Sequence, residues 1–196
     1  MTKKDLLMTL ARHGYNVGFG AKKNFASFDI VTKLPSWIGF LMLAIGVIQL
    51  GYPQTATKEM SIVLIIISIA ILFVGYYNSN VAEFEKEGVR STQLFNQLKD
   101  LYFVVKSSSK TDFSQEISKM DSIMSEFYSE SISKQVFLSH WYAHFKFFYE
   151  MQVEWIDEEL KFKFFKDKFP NSLKTFIGII LLIVTTIICY EYIRSI

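Results

Sequence analysis

The residues most able to do chemistry in this chain are His140 and His144, with Glu150, Glu154, Asp157, Glu158 and Glu159 downstream. Four residues apart on a helix, two imidazoles share a face, which is the spacing a metal ion would use. His144, however, falls on an apolar stripe with Trp141 and Phe148, and HWYAH lacks the glutamate of an HExxH zinc motif. The pair therefore reads as packed or inter-subunit histidine, with His140 able to donate or accept across an interface, and no metal or cofactor is expected. Gly14, Gly18 and Gly20 have no flanking strand or lysine pattern to cradle a phosphate, and no Walker A loop, GxGxxG turn or GxSxG elbow occurs. Enzymatic activity is not expected. A single cysteine, Cys189, excludes an intrachain disulfide and a cysteine-based zinc site.

The composition shows what kind of molecule carries these residues. Hydrophobic residues make up 51% of the 196 and charged ones 20%, and the two are segregated. Blocks 37–52, 60–77 and 175–190 contain no Asp, Glu, Lys, Arg or His. The rest of the chain cannot wrap three helices that are apolar all round, so the blocks read as membrane spans. The first is short of the roughly 20 residues a span needs, so it must recruit flanking turns or thin the bilayer. The second ends in Tyr76 and Tyr77, suited to the headgroup layer, and the third follows Pro170, where Asn171 or Ser172 can cap a helix. No ionisable residue within a block offers a proton relay or a voltage sensor. A pore would have to be lined by Gln49, Ser61, Ser68, Thr185 and Thr186 from several copies. Small residues, Gly39, Ala44 and Gly46 in the first span and Ser61, Ser68 and Ala70 in the second, would let helices approach closely.

Lys and Arg in the flanks set the orientation. Residues 1–34 carry Lys3, Lys4, Arg12, Lys22, Lys23 and Lys33, the 53–59 loop carries Lys58 alone, and 161–174 is again lysine-rich. The expectation is three passes, N-terminus and central segment cytoplasmic, C-terminus outside. The N-terminal stretch is too polar for a signal peptide, so the first span is expected to insert uncleaved.

Residues 3–34 read as two short amphipathic helices divided around Gly14–Gly20, the second lying on the inner leaflet with Lys22, Lys23 and Lys33 at the headgroups. A helix over 81–106 carries Leu94, Leu98, Leu101 and Val105 on one stripe. Another starts at Asp112, with Gln115 completing a capping box and Phe113, Ile117, Met120, Met124 and Phe127 forming a heptad seam. After a polar 129–133 linker, a third runs from about 134 to 168, with Trp141, His144, Phe148, Met151 and Trp155 as its seam. The KFKFFKDKF run, with Lys161, Lys163, Lys166 and Lys168, reads as an interfacial belt, and direct nucleic-acid binding is not expected. The fold class is thus an all-α membrane protein: three transmembrane helices with a coiled-coil-like cytoplasmic helical domain between the second and third. Its segments are 1–34, 35–78, 79–170 and 171–196. The narrow seams fit packing on one another or on copies of the chain, so a homo-oligomer in the lipid bilayer is expected.

In the stretches GYNVGFGAKKNFASFDIVTKLPSWIGFLMLAIGVIQL (14–50), RSTQLFNQLKDLY (90–102) and, loosely, SHWYAHF (139–145), the chain resembles the SLATT superfamily, the SMODS and SLOG-associating two-transmembrane effectors, and most of all its fifth subfamily. The resemblance implies an effector in the bacterial inner membrane, encoded near a sensor such as a nucleotidyltransferase or reverse transcriptase. Such effectors oligomerise and permeabilise the membrane when phage infection is sensed. The family is named for two spans, so the third is an addition. Two other readings stay open from the residues: a membrane-anchored scaffold that recruits partners, and a small-molecule sensor using the aromatic 137–165 stretch as a pocket wall.

Overall fold

The computed structural model describes residues 1–130 and 134–194, and among these there are helices and no strands. The helices are α1 (Lys3–Thr32), α2 (Leu34–Gly51), α3 (Lys58–Gly75), α4 (Val81–Ser107), α5 (Ser114–Ser129), α6 (Ser139–Glu150), α7 (Glu154–Leu160) and α8 (Asn171–Arg194). Among the described residues α2, α3 and α8 are the elements apolar and long enough to cross a membrane, and the protein buries none of them. At about 1.5 Å per residue α2 and α3 are each about 27 Å long and α8 about 36 Å, against a hydrocarbon core of about 30 Å. The first span does recruit a flanking turn, beginning at Leu34 with Pro35 in its first turn, where the missing N–H leaves no helical bond unmade.

The N-terminal segment differs from the sequence expectation. Residues 3–32 form one 30-residue helix that runs through Gly14–Gly20 without a break. Thr2 caps it: its hydroxyl accepts the Asp5 N–H at 3.2 Å, and the Asp5 carboxylate accepts the Thr2 N–H at 3.3 Å. Nor is α1 laid on a surface with one face free, because Leu6, Leu10, Ala11, Val17, Ala21 and Ala26 are fully buried. It is the central helix of the extramembrane domain. It runs antiparallel to α4, with Lys3 Nζ donating to the Lys106 carbonyl at 2.8 Å at one end and Ile30 packed in a cluster with Phe84 at the other. The glycines read as a break are packing notches. A Cβ at Gly14 would overlap the Trp155 indole, one at Gly18 would lie 2.8 Å from the Phe95 ring, and on α4 the same is true of Gly88 against Phe25 at 3.1 Å.

The core around α1 takes Leu94, Leu98, Leu101 and Val105 from α4, Met120 and Met124 from α5, and Phe147, Trp155 and Ile156 from α6 and α7. Residues 1–34 and 79–170, drawn apart in the sequence, therefore share one core. The α5 seam is filled by the chain's own helices: Phe113, Met120 and Met124 are buried there, and Ile117 and Phe127 are half-buried against it. The helix starts at Ser114 with Phe113 at its N-cap and no side-chain cap, so the expected Asp112–Gln115 capping box does not form; Asp112 lies one residue earlier and accepts the Ser114 N–H at 3.1 Å.

The expected helix over 134–168 is instead α6, α7 and a π-helical turn at Phe164–Lys168. Its seam is split accordingly. Met151 is extended (φ −112°, ψ 143°) and Lys161 left-handed (φ 52°), so the chain turns twice without proline or glycine. The first turn sends Trp155 into the core, while Trp141 faces α8. The polar linker at 129–133 lies, for 131–133, outside the described residues.

The notch at Gly14 gives a direct test. Gly14→Leu must displace the buried Trp155 ring, and overpacking of this kind costs about 1–3 kcal/mol or more. Gly39→Leu, where nothing lies within 4 Å, is the control. Thermal unfolding of the detergent-solubilised chain is expected to fall several degrees for the first variant and stay unchanged for the second.

Candidate functional site

The residues that matter most lie where the domain meets the spans. Lys33, between α1 and α2, keeps a right-handed helical backbone (φ −103°, ψ −38°). Its N–H donates to the Asp29 carbonyl at 2.9 Å, and its own carbonyl accepts the Trp37 N–H at 3.1 Å, so the two helices meet at this one residue, while Pro35, with no N–H, interrupts the ladder between them. On the other side α3 passes into α4 through the short 3₁₀ turn Asn78–Asn80. Each helix of the α1–α4 pair thus leads into one span of the α2–α3 hairpin.

The junction is braced by apolar and polar contacts. Ile30, Val31, Phe84 and Val136 are buried together, with Leu34, Val74 and Tyr77 packed against them. Asp29 joins α1 to α6 through Lys146 at 2.6 Å and also pairs with Lys33 at 2.5 Å. Burial would raise the Asp29 carboxyl, but the hydrogen bonds and charges of Lys146 and Lys33 outweigh it and hold it below its ordinary value. The segment entering α6 is pinned to α1 by side chains: Ser27 Oγ donates to Gln135 Oε1 at 2.7 Å, and Gln135 Nε2 donates to Asn24 Oδ1 at 2.9 Å. On α4, Arg90 pairs with the buried Glu87 at 2.8 Å and donates to the Glu126 carbonyl at 2.7 Å, tying down the end of α5.

Within the spans, the polar residues expected along a pore bond locally. Ser61 donates to the Thr57 carbonyl at 3.1 Å, Ser68 to Leu64 at 2.8 Å, Thr185 to Leu181 at 2.6 Å and Thr186 to Leu182 at 2.8 Å, each within its own helical turn. Gln49 reaches the Thr55 carbonyl in the far loop at 3.5 Å. Ser68 also faces Met42 across the hairpin, while no atom lies within 4 Å of a Cβ built at Gly39 or Gly46. The third span, α8, is attached at its start: Trp141 Nε1 donates to Ser172 Oγ at 2.9 Å, the Trp141 ring lies 5.2 Å from Phe176, and Lys174 Nζ donates to the Phe165 carbonyl.

His140 and His144 do lie side by side, ring centroids 4.8 Å apart, and both pack edge-on against Phe19. His144 is buried, and among the described residues its Nδ1 has no hydrogen-bond partner. Burial first, and the neighbouring His140 second, push His144 down to about 4; burial and Lys23 lower His140. Three of the downstream carboxylates are engaged elsewhere. Glu158 pairs with Lys106 at 2.5 Å, Glu159 accepts the Tyr102 hydroxyl at 3.0 Å, and Asp157 accepts the Phe162 N–H at 2.7 Å. Among the described residues no group of three or more His, Cys, Asp or Glu is placed to hold a metal. The pair lines an open groove of about 380 Å³ with Tyr15, Lys166, Asp167 and Ser172.

The basic residues separate into two sets. Lys22 is half-buried in the domain, its pKa lowered by burial and by Lys146, and Lys23 is half-buried near His140, so α1 does not hold these two on a surface. The reason is the burial of α1 itself. Lys33, Lys161, Lys163 and Lys166 are exposed, beside the exposed Phe164 and Phe165, whereas Lys168 turns inward to Asp157 at 3.5 Å. Sequence reasoning missed Asp29, Lys146, Asn24, Ser27 and Gln135, whose roles depend on pairing across more than a hundred residues.

Residues 1–177 match the sequence family described as SMODS and SLOG-associating 2TM effector domain 6. The match covers the domain and the α2–α3 hairpin and stops shortly after α8 begins. It agrees with the superfamily resemblance and corrects the subfamily, which is the sixth and not the fifth. No curated protein and no solved structure matches the chain.

The buried histidine predicts a pH dependence. His144 titrates near 4 when folded and near about 6.5 when unfolded, so between these values the unfolded chain binds more protons and stability rises with pH. Stability is therefore lost as pH falls from about 6.5 toward about 4. His13 and His140, also lowered by burial, add to the same slope. His144→Phe keeps a ring in place and is expected to remove roughly 1–3 kcal/mol of this dependence. Unfolding followed at about pH 7.5 and about pH 5 measures it; an unchanged slope in the variant would show that other groups carry it.

Proposed function

The chain belongs to the SMODS and SLOG-associating 2TM effector domain 6 family, and on that footing we propose that it is the membrane effector of a bacterial antiphage defence system of the abortive-infection kind. In this reading it sits in the inner membrane with its N-terminus and helical domain in the cytoplasm and its C-terminus outside, in line with the lysine distribution. It acts without enzymatic chemistry. A sensor encoded nearby, such as a nucleotidyltransferase or a reverse transcriptase, triggers it; copies then associate and their spans open a leak.

The family match is the observation that carries this reading. The one-residue junction between α1 and α2 supports it mechanically, because a shift of the domain's central helix would be delivered to a span without a slack linker. Gln49, Ser61, Ser68, Thr185 and Thr186 are the polar groups available to line a path between copies. One observation favours a second reading, a scaffold whose spans only anchor it. The hydroxyls of Ser61, Ser68, Thr185 and Thr186 are bonded to their own helices and so need no aqueous path.

Cells carrying the intact operon, challenged with phage and followed with a potential-sensitive dye, separate the two. A leak is expected to depolarise the membrane before lysis, and Ser68→Lys or Thr185→Lys is expected to change the conductance or the toxicity. Protection from phage with no depolarisation would overturn the leak and leave the anchor.

A further inference from the structure

An apolar groove of about 630 Å³ opens at the domain end of the hairpin. Leu34 and Ile38 line it from α1–α2, Ala70 and Val74 from α3, and Phe137 closes it from the domain side. Its wall on α3 and the turn after it runs from Ile67 to Tyr77, about 15 Å at 1.5 Å per residue, which is half of a hydrocarbon core of about 30 Å. The groove therefore has the depth of one leaflet. Among the described residues that line it, Lys134 is the charged one; it is exposed, and its Nζ stands 5.4 Å from the Tyr77 ring centroid.

We propose that this groove holds one acyl chain of an anionic phospholipid, with the lipid phosphate at Lys134. The depth matches a single chain entering from the interface, the volume falls in the roughly 300–1,000 Å³ range of small-ligand pockets, and Lys134 offers the cation a headgroup phosphate would meet. The segment that closes the groove is rigidly referenced to the domain. Val136 is buried and its N–H donates to Ser27 Oγ on α1 at 3.4 Å, while Leu138 is held with a left-handed backbone (φ 69°), a conformation leucine rarely adopts. A bound chain would thus touch α2, α3 and the domain at once, and the lipid would act as a part of the junction rather than as solvent.

Native mass spectrometry of the full chain in detergent, titrated with dioleoyl phosphatidylglycerol or dioleoyl phosphatidylcholine, tests this. One phosphatidylglycerol is expected to be retained at saturation, with a preference of about fivefold over phosphatidylcholine, the effect of one lysine near an anionic headgroup. Lys134→Glu, at an exposed position, is expected to abolish the preference. Ala70→Trp, which fills the groove, is expected to abolish retention of both lipids. Retention in Ala70→Trp equal to that of the parent chain, or a spread of many adducts with no saturation at one, would overturn the groove as the site. Equal retention of the two lipids by the parent chain would overturn the role of Lys134, whether or not Ala70→Trp folds.

Discussion

The antiparallel contact of α1 with α4 depends on two helix backbones coming close enough for Gly18 and Gly88 to receive the rings of Phe95 and Phe25, and Gly14 in the same way receives Trp155 from α7. Without those notches the rings would have no floor, and α6 and α7, which hold Phe147 and Trp155 against α1, would lose their mounting. Burial of large apolar side chains, at about 1.5–3 kcal/mol each, is what makes the domain stable enough to position anything else. Among the described residues the spans touch the domain only near their inner ends, where Leu34 and Val74 pack on the cluster around Phe84. They inherit their arrangement from it.

Polar groups are distributed to match. Inside the spans the hydroxyls turn to their own carbonyls and leave the surface apolar. At the junction, by contrast, Asp29 with Lys146 and Lys33, the Ser27–Gln135–Asn24 network and Arg90 with Glu87 give the packing a single register. Partly buried ion pairs are a modest source of stability, but a pair that breaks leaves a charge without its partner, so alternative arrangements are penalised.

The spans were legible in the sequence because composition alone decides them: an uncharged block that is apolar all round has one comfortable solvent. The stripe of Leu94, Leu98, Leu101 and Val105 was equally plain, and the end of α4 at Ser107 fell where a serine run stops it. What was not legible was α1. A helix buried on several sides by small residues has little amphipathic contrast, and Gly14 and Gly18 resemble a break unless the three-four-three spacing of Ala11, Gly14, Gly18 and Ala21 is read as a strip for close approach. The turns at Met151 and Lys161 carry no proline or glycine, so tertiary packing of Trp155 had to decide them. The four-residue spacing that puts His140 and His144 on one face was visible, and their rings do lie side by side, whereas the groove they line depends on the π-helical turn that no local pattern announced.

The helical run from Lys3 to Gly51 is 49 residues, about 74 Å end to end, with a proline near its waist but no flexible joint. A rod of that kind is stiff in torsion as well as in length. If α1 rolled in its bed against α4, α2 would roll with it, and a different stripe of its surface would turn toward whatever lies beside it in the bilayer. The one-residue junction at Lys33 therefore ties the orientation of a span about its own axis to a domain outside the membrane.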